Sequence, residues 1–72
     1  MTTDTRVGIV GWRYADDRAT AEWDWLDYSA SVHDCELDAR ARHDDLCQDD
    51  DYRLADWAVK LDDGSIVTAY LA

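Results

Sequence analysis

Leu54-Ala55-Asp56-Trp57-Ala58-Val59-Lys60-Leu61, Asp62-Asp63-Gly64-Ser65 and Ile66-Val67-Thr68-Ala69-Tyr70-Leu71 follow one another without a break. Trp57, Val59 and Leu61 alternate with Asp56, Ala58 and Lys60. That is the period-2 pattern of a half-buried strand. Asp63-Gly64 supplies the positive φ that a tight hairpin needs. A second strand then runs from Ile66 to Leu71. This C-terminal β-hairpin fixes the class of the fold, and the rest of the chain is read outward from it.

Upstream, Val7-Gly8-Ile9-Val10-Gly11-Trp12-Arg13-Tyr14 is β-rich and too short for a stable helix. Ala15-Asp16-Asp17-Arg18 reads as a turn. Glu22-Trp23-Asp24-Trp25 then alternates acid and indole, which predicts a strand with Trp23 and Trp25 facing inward. A helix over residues 20–28 is the competing reading. The two glycines, Gly8 and Gly11, permit a bulge or the close packing of an indole. They form no phosphate-binding fingerprint.

Between the two hairpins lies a helix. Ser31 can cap it, with Asp34 three residues on. At 100° per residue Val32, Cys35, Ala39 and Leu46 share one face, with His43 beside them. The face is narrow and built of small side chains, suited to close approach to a sheet crowded with indoles. The expected fold is α+β: a small antiparallel ββαββ sheet with one helix packed on one face. The other sheet face is expected to carry some of Trp12, Tyr14, Ile66 and Tyr70. Trp12, Tyr14 and Tyr70 are thus candidates for a homodimer or partner interface.

The chain has 72 residues, so residues 1–72 are expected to form a single domain. Seventeen acids against seven bases leave a net charge of −10, and fifteen of the acids are Asp. Hydrophobic residues at 47% fit a globular chain rather than a disordered one. A surface this acidic repels phosphate, which argues against direct nucleic-acid binding. No uncharged run is long enough for a membrane span, and Met1-Thr2-Thr3-Asp4-Thr5 has neither a basic start nor an apolar core, so no signal peptide is expected. Cys35 and Cys47 are too few for a disulfide scaffold. Reduced thiols in a cytoplasmic protein are expected. The size argues against an enzyme, and no catalytic residues stand out.

Asp34, Asp38, Asp45 and Asp49 are spaced four, seven and four residues apart. On a helix they project within about 60° of one another, along a line of roughly 22 Å. Asp24 and Asp27 extend the field. A row of carboxylates along a rod resembles one strand of a phosphate backbone, and a basic protein can meet it with release of counterions. Against this stands the plain reading of a solvated acidic face, with Asp38–Arg42 as an ordinary i,i+4 pair. Salt adaptation is a further reading. His33, Cys35, His43 and Cys47 are the ligand inventory of zinc, and His43 and Cys47 lie one turn apart. No Cys-x-x-Cys is present, and no cofactor is expected. A small zinc-binding domain is therefore the second alternative.

In size, acidity, Trp-rich sheet and Asp-lined helix the chain resembles small phage or mobile-element inhibitors of the anti-CRISPR or anti-restriction DNA-mimic kind. That resemblance is compositional and has no motif to anchor it. It implies a stoichiometric inhibitor, without cofactor, of a basic nucleic-acid-binding protein or complex in the host cytoplasm. The alternative is a small dimerisation or regulatory module of a phage or halophile whose acidity serves solubility.

Overall fold

The structure, a computed structural model, describes residues 6–48 and 54–72. Its elements are β1 (Val7–Tyr14), a single 3-10 turn (Ala15–Asp17), β2 (Asp24–Ser31), α1 (Val32–Cys47), β3 (Ala55–Leu61) and β4 (Ile66–Tyr70). The strands form one antiparallel sheet in the order β2-β1-β3-β4, and α1 packs on one face of it. The expected α+β ββαββ architecture is therefore present. Residues 24–31 are strand, so the helical alternative over residues 20–28 is excluded.

Local chemistry sets the ends of the elements. Gly64 turns the β3–β4 hairpin at φ +91°, where a side chain would be strained. The Asp63 carboxylate accepts from the Ser65 N–H at 2.8 Å and stiffens the same turn. At the start of α1 the Ser31 hydroxyl accepts from the Asp34 N–H at 3.2 Å, which satisfies one of the orphan donors there. Val32, Cys35 and Ala39 are buried beneath the helix, and His43 and Leu46 are half-buried. The small face brings α1 close to Gly8. A Cβ on Gly8 would lie 3.3 Å from a Val32 methyl and 3.1 Å from a Val59 methyl.

The pairing register decides which residues face the helix. Val10 lies opposite Val59, and Trp12 opposite Trp57. These four side chains face α1, and Val10, Val59 and Trp57 join Cys35, Ala39 and Ala55 in the core. Trp12 and Tyr70 pack against that cluster. Tyr14 meets Trp12 edge-on, with ring centroids 4.9 Å apart. Trp12, Tyr14 and Tyr70 therefore lie on the helix-covered side, not on the open face expected for them. Ile66 remains exposed.

Trp25 moves the opposite way. It pairs with Gly11 on the face away from α1, and a Cβ on Gly11 would lie only 2.2 Å from its ring. Gly11 is thus the bed for an indole. That bed exists only on the outer face, which is why the inward expectation for Trp23 and Trp25 fails. Trp23 lies beside Trp25, with ring centroids 5.9 Å apart.

β3 also departs from the half-buried pattern. Ala55, Asp56, Trp57, Ala58 and Val59 are all buried, on both faces of the sheet. The cause is its central position between β1 and β4. On the outer face Arg13 and Arg18 close over Asp56. Finally, β2 carries a bulge. Ile9 pairs with Ser29 but Gly11 pairs with Trp25, so Leu26, Asp27 and Tyr28 stand opposite Val10 alone.

Candidate acidic docking surface

The acids predicted to lie together divide among the elements as follows. Asp34 and Asp45 are exposed on α1, and Asp38 is half-buried on the same flank. The 3.6-residue period holds this row in a line, because α1 is unbroken from Val32 to Cys47. Asp24 and Asp27 are exposed on β2, which forms one edge of the sheet. Asp49 lies outside the described residues.

The row is not uniformly bare. The Arg42 Nε–H lies 3.2 Å from both carboxylate oxygens of Asp38. The Arg42 guanidinium also sits 5.4 Å from the centroid of the Trp57 ring, so it is held on the protein side of the pair. Asp38 is thereby partly neutralised. Arg40 reaches Asp44 at 4.0 Å, off the row. Among the described residues no ion pair engages Asp24, Asp27, Asp34 or Asp45.

A shallow recess opens between α1 and β2, lined by Leu26, Tyr28, Asp38 and Arg42. Tyr28 is 46% exposed there. An exposed phenol, apolar in its ring and polar at its tip, thus lies beside the acidic flank. Leu26 and Tyr28 alternate with Asp27 in the sequence, which was the signal available for them. Their meeting with Asp38 and Arg42 depends on the packing of α1.

A second polar centre went unforeseen. Asp56 is fully buried on the outer face. Its carboxylate accepts from Arg18 Nε and Nη2, both at 2.7 Å, from Arg13 Nε at 3.1 Å and from the Ala72 N–H at 2.8 Å. The Arg18 hydrogen bonds, followed by those from Ala72 and Arg13, outweigh the effect of burial and pull its pKa from 3.8 to about 2. An Asp in an otherwise apolar strand start was the only sequence hint. Arg13 also stacks 4.0 Å from the Trp23 centroid, and the Lys60 ammonium lies 4.3 Å from that of Trp25.

The His and Cys candidates do not gather in one place. Cys35 is buried, and its thiol donates to the Gly8 carbonyl at 3.3 Å. Burial pushes that thiol's pKa up. His33 is exposed at the first turn of α1. His43 and Cys47 meet, with Nε2 and Sγ 3.6 Å apart. Both cysteines are free thiols. Among the described residues no three His, Cys, Asp or Glu side chains converge as a metal site. No described helix is long and apolar enough to cross a membrane.

Comparison of the chain with protein-family models, with curated proteins and with solved structures finds no match.

Proposed function

We propose that this chain is a non-enzymatic acidic binding protein that occupies the basic, nucleic-acid-binding surface of a larger protein or complex and so inhibits it. One observation carries the reading. Asp34 and Asp45 stand exposed and without an ion-pair partner among the described residues, at either end of a rigid helical flank. Asp24 and Asp27 lie on the neighbouring edge strand in the same condition. Rigid presentation matters, because an Asp carboxylate held near the backbone loses little side-chain entropy on docking. The recess at Leu26 and Tyr28 supplies apolar area beside the charge, and area of that kind slows dissociation. The charge itself speeds encounter and makes binding weaken with salt.

The test is a charge reversal chosen from the structure. Asp34→Lys with Asp45→Lys changes two exposed acids and leaves the Asp38–Arg42 pair intact. Partners captured from host lysate at low salt by the native chain should bind the double variant at least tenfold more weakly, with an unchanged circular dichroism spectrum. The captured protein should also lose nucleic-acid binding as the native chain is titrated in. Equal capture by both chains, or undiminished nucleic-acid binding by the partner, refutes the proposal.

A further inference from the structure

We propose that His43 and Cys47 form half of a tetrahedral zinc site, which a second copy of the chain completes. The two residues stand one turn apart on the last turns of α1, and both side chains are turned to the same side. Their spacing carries the argument. With Zn–S near 2.3 Å, Zn–N near 2.05 Å and a tetrahedral angle between them, the sulfur and nitrogen of two zinc ligands lie about 3.6 Å apart. The Cys47 Sγ to His43 Nε2 distance is 3.6 Å. The two ligand atoms stand at the bite of the metal, on a helix that fixes both Cα positions, and Nε2 has only to part from the Leu71 carbonyl.

The surroundings also suit the metal. The Asp44 carboxylate lies 3.5 Å from the other ring nitrogen, Nδ1. A carboxylate behind a ligating imidazole holds the ring proton on the far nitrogen and strengthens the ligand. Nε2 now lies 3.0 Å from the Leu71 carbonyl, on an exposed residue just past β4. The carbonyl only accepts, so Nε2 carries the ring proton in that contact; metal entry breaks the hydrogen bond, the Nε2 proton passes to solvent, and the neutral ring takes its proton on Nδ1, facing Asp44. The Cys47 thiol is exposed, and its proton leaves to solvent as the thiolate binds.

Two ligands are half of a structural zinc site, and no described residue adds a third. Two copies related by a two-fold axis would provide a Cys2His2 set, with the same two residues contributed by each. Two thiolates also balance one dication. Chains of net charge −10 otherwise repel, so the association depends on the metal.

The test uses the purified, reduced full chain, with Zn2+ for assembly and Co2+ as the spectroscopic probe. Sedimentation should show conversion of monomer to dimer, complete at one zinc per two chains. Cobalt should give the intense visible bands of tetrahedral coordination together with a thiolate charge-transfer band. Cys47→Ser and, separately, His43→Gln should abolish both signals, whereas His33→Ala should leave them unchanged. Cys47 is exposed, so its Ser variant should fold as judged by circular dichroism. Asp44→Asn should weaken the metal affinity by about tenfold to a hundredfold while keeping the cobalt spectrum. The proposal is overturned by a cobalt complex without thiolate charge transfer, by binding that survives in Cys47→Ser, or by one metal held per monomer. The absence of any zinc-dependent dimer overturns it as well.

Discussion

Replacing Asp56 by Asn keeps the shape of the side chain and removes its charge. In the native protein three N–H groups from Arg13 and Arg18 and one from Ala72 converge on this carboxylate. Its pKa falls from 3.8 to about 2, which corresponds to about 2 kcal/mol of native stability. An amide in its place also turns an NH2 toward arginines that only donate. Removing one partner of a fully buried pair costs about 3–5 kcal/mol. Here the Arg18 side chain is 39% exposed and can reach water, which lowers the cost. The expected loss is therefore about 2–3 kcal/mol. A domain of this length has a total of about 4–11 kcal/mol at typical stability per residue. With a urea slope near 1 kcal/mol/M, the midpoint should fall by about 2 M at neutral pH.

The dependence on pH separates this account from a packing defect. A carboxylate with a depressed native pKa stabilises the fold above its unfolded pKa of 3.8. That contribution drains away as the pH falls through the native value of about 2. Acid also relieves repulsion among the remaining carboxylates, so the native chain alone would give a mixed signal. Most of that relief is common to both proteins and cancels in the difference between the native chain and the Asp56→Asn variant. The gap in unfolding free energy should be constant from about pH 7 to 5, then shrink by more than half by about pH 2.5. Urea titrations of both proteins across that range measure it. A gap that stays the same at every pH, or one below about 0.5 kcal/mol at neutral pH, refutes the reasoning.

Three further outcomes follow from named contacts. Gly11→Ala places a methyl 2.2 Å from the Trp25 ring, so the indole must leave its bed; a loss of about 1–3 kcal/mol and a shifted tryptophan emission are expected. Ser31→Ala removes the hydroxyl that accepts from the Asp34 N–H and should cost about 1 kcal/mol in urea unfolding, with the fold retained. Exposed Cys47 should react with a thiol reagent at once, while Cys35, buried and with a raised pKa, should react only at the rate of opening of the fold; two equally fast thiols would contradict the described core.

Elements governed by neighbours in the chain were legible, and those governed by distant partners were not. The C-terminal hairpin follows from Asp63-Gly64 and the alternation before it. The start of α1 follows from Ser31, and its buried face from the 3.6-residue spacing of Val32, Cys35 and Ala39. The alignment of Asp34, Asp38 and Asp45 follows from the same period, as does the Asp38–Arg42 pair. The choice of face for β1 had no such local signal. Ile9 and Arg13 on one parity and Val10 and Trp12 on the other are both plausible inner rows. Pairing of Trp12 with Trp57, 45 positions away, decides between them. The Asp56 cluster joins residues 38 and 43 positions apart, and no spacing rule reaches that far. The irregular pairing of β1 with β2 falls beside Gly11, which the sequence offered as a bulge site, but the extra residues lie on β2, where no glycine marks them.

The allocation of the cations explains why so much negative charge is left on display. Arg13 and Arg18 converge on one buried carboxylate, so two positive charges answer a single negative one. Lys60, the only lysine, lies over the Trp25 ring. Arg13 spends its other face on Trp23. These three bases lie on the outer sheet face, and Arg13 and Arg18 both pair with Asp56 there. On α1, Arg40 and Arg42 offset Asp44 and Asp38. Among the described residues, Asp34 and Asp45 at either end of the row, with Asp24 and Asp27 on β2, receive no ion pair. An evenly interspersed surface would have given a weak field of mixed sign. With three bases on the outer sheet face and Arg40 and Arg42 each held by one acid of α1, the flank of α1 and β2 keeps an excess of exposed carboxylates, and such an excess sets a net negative field over that side.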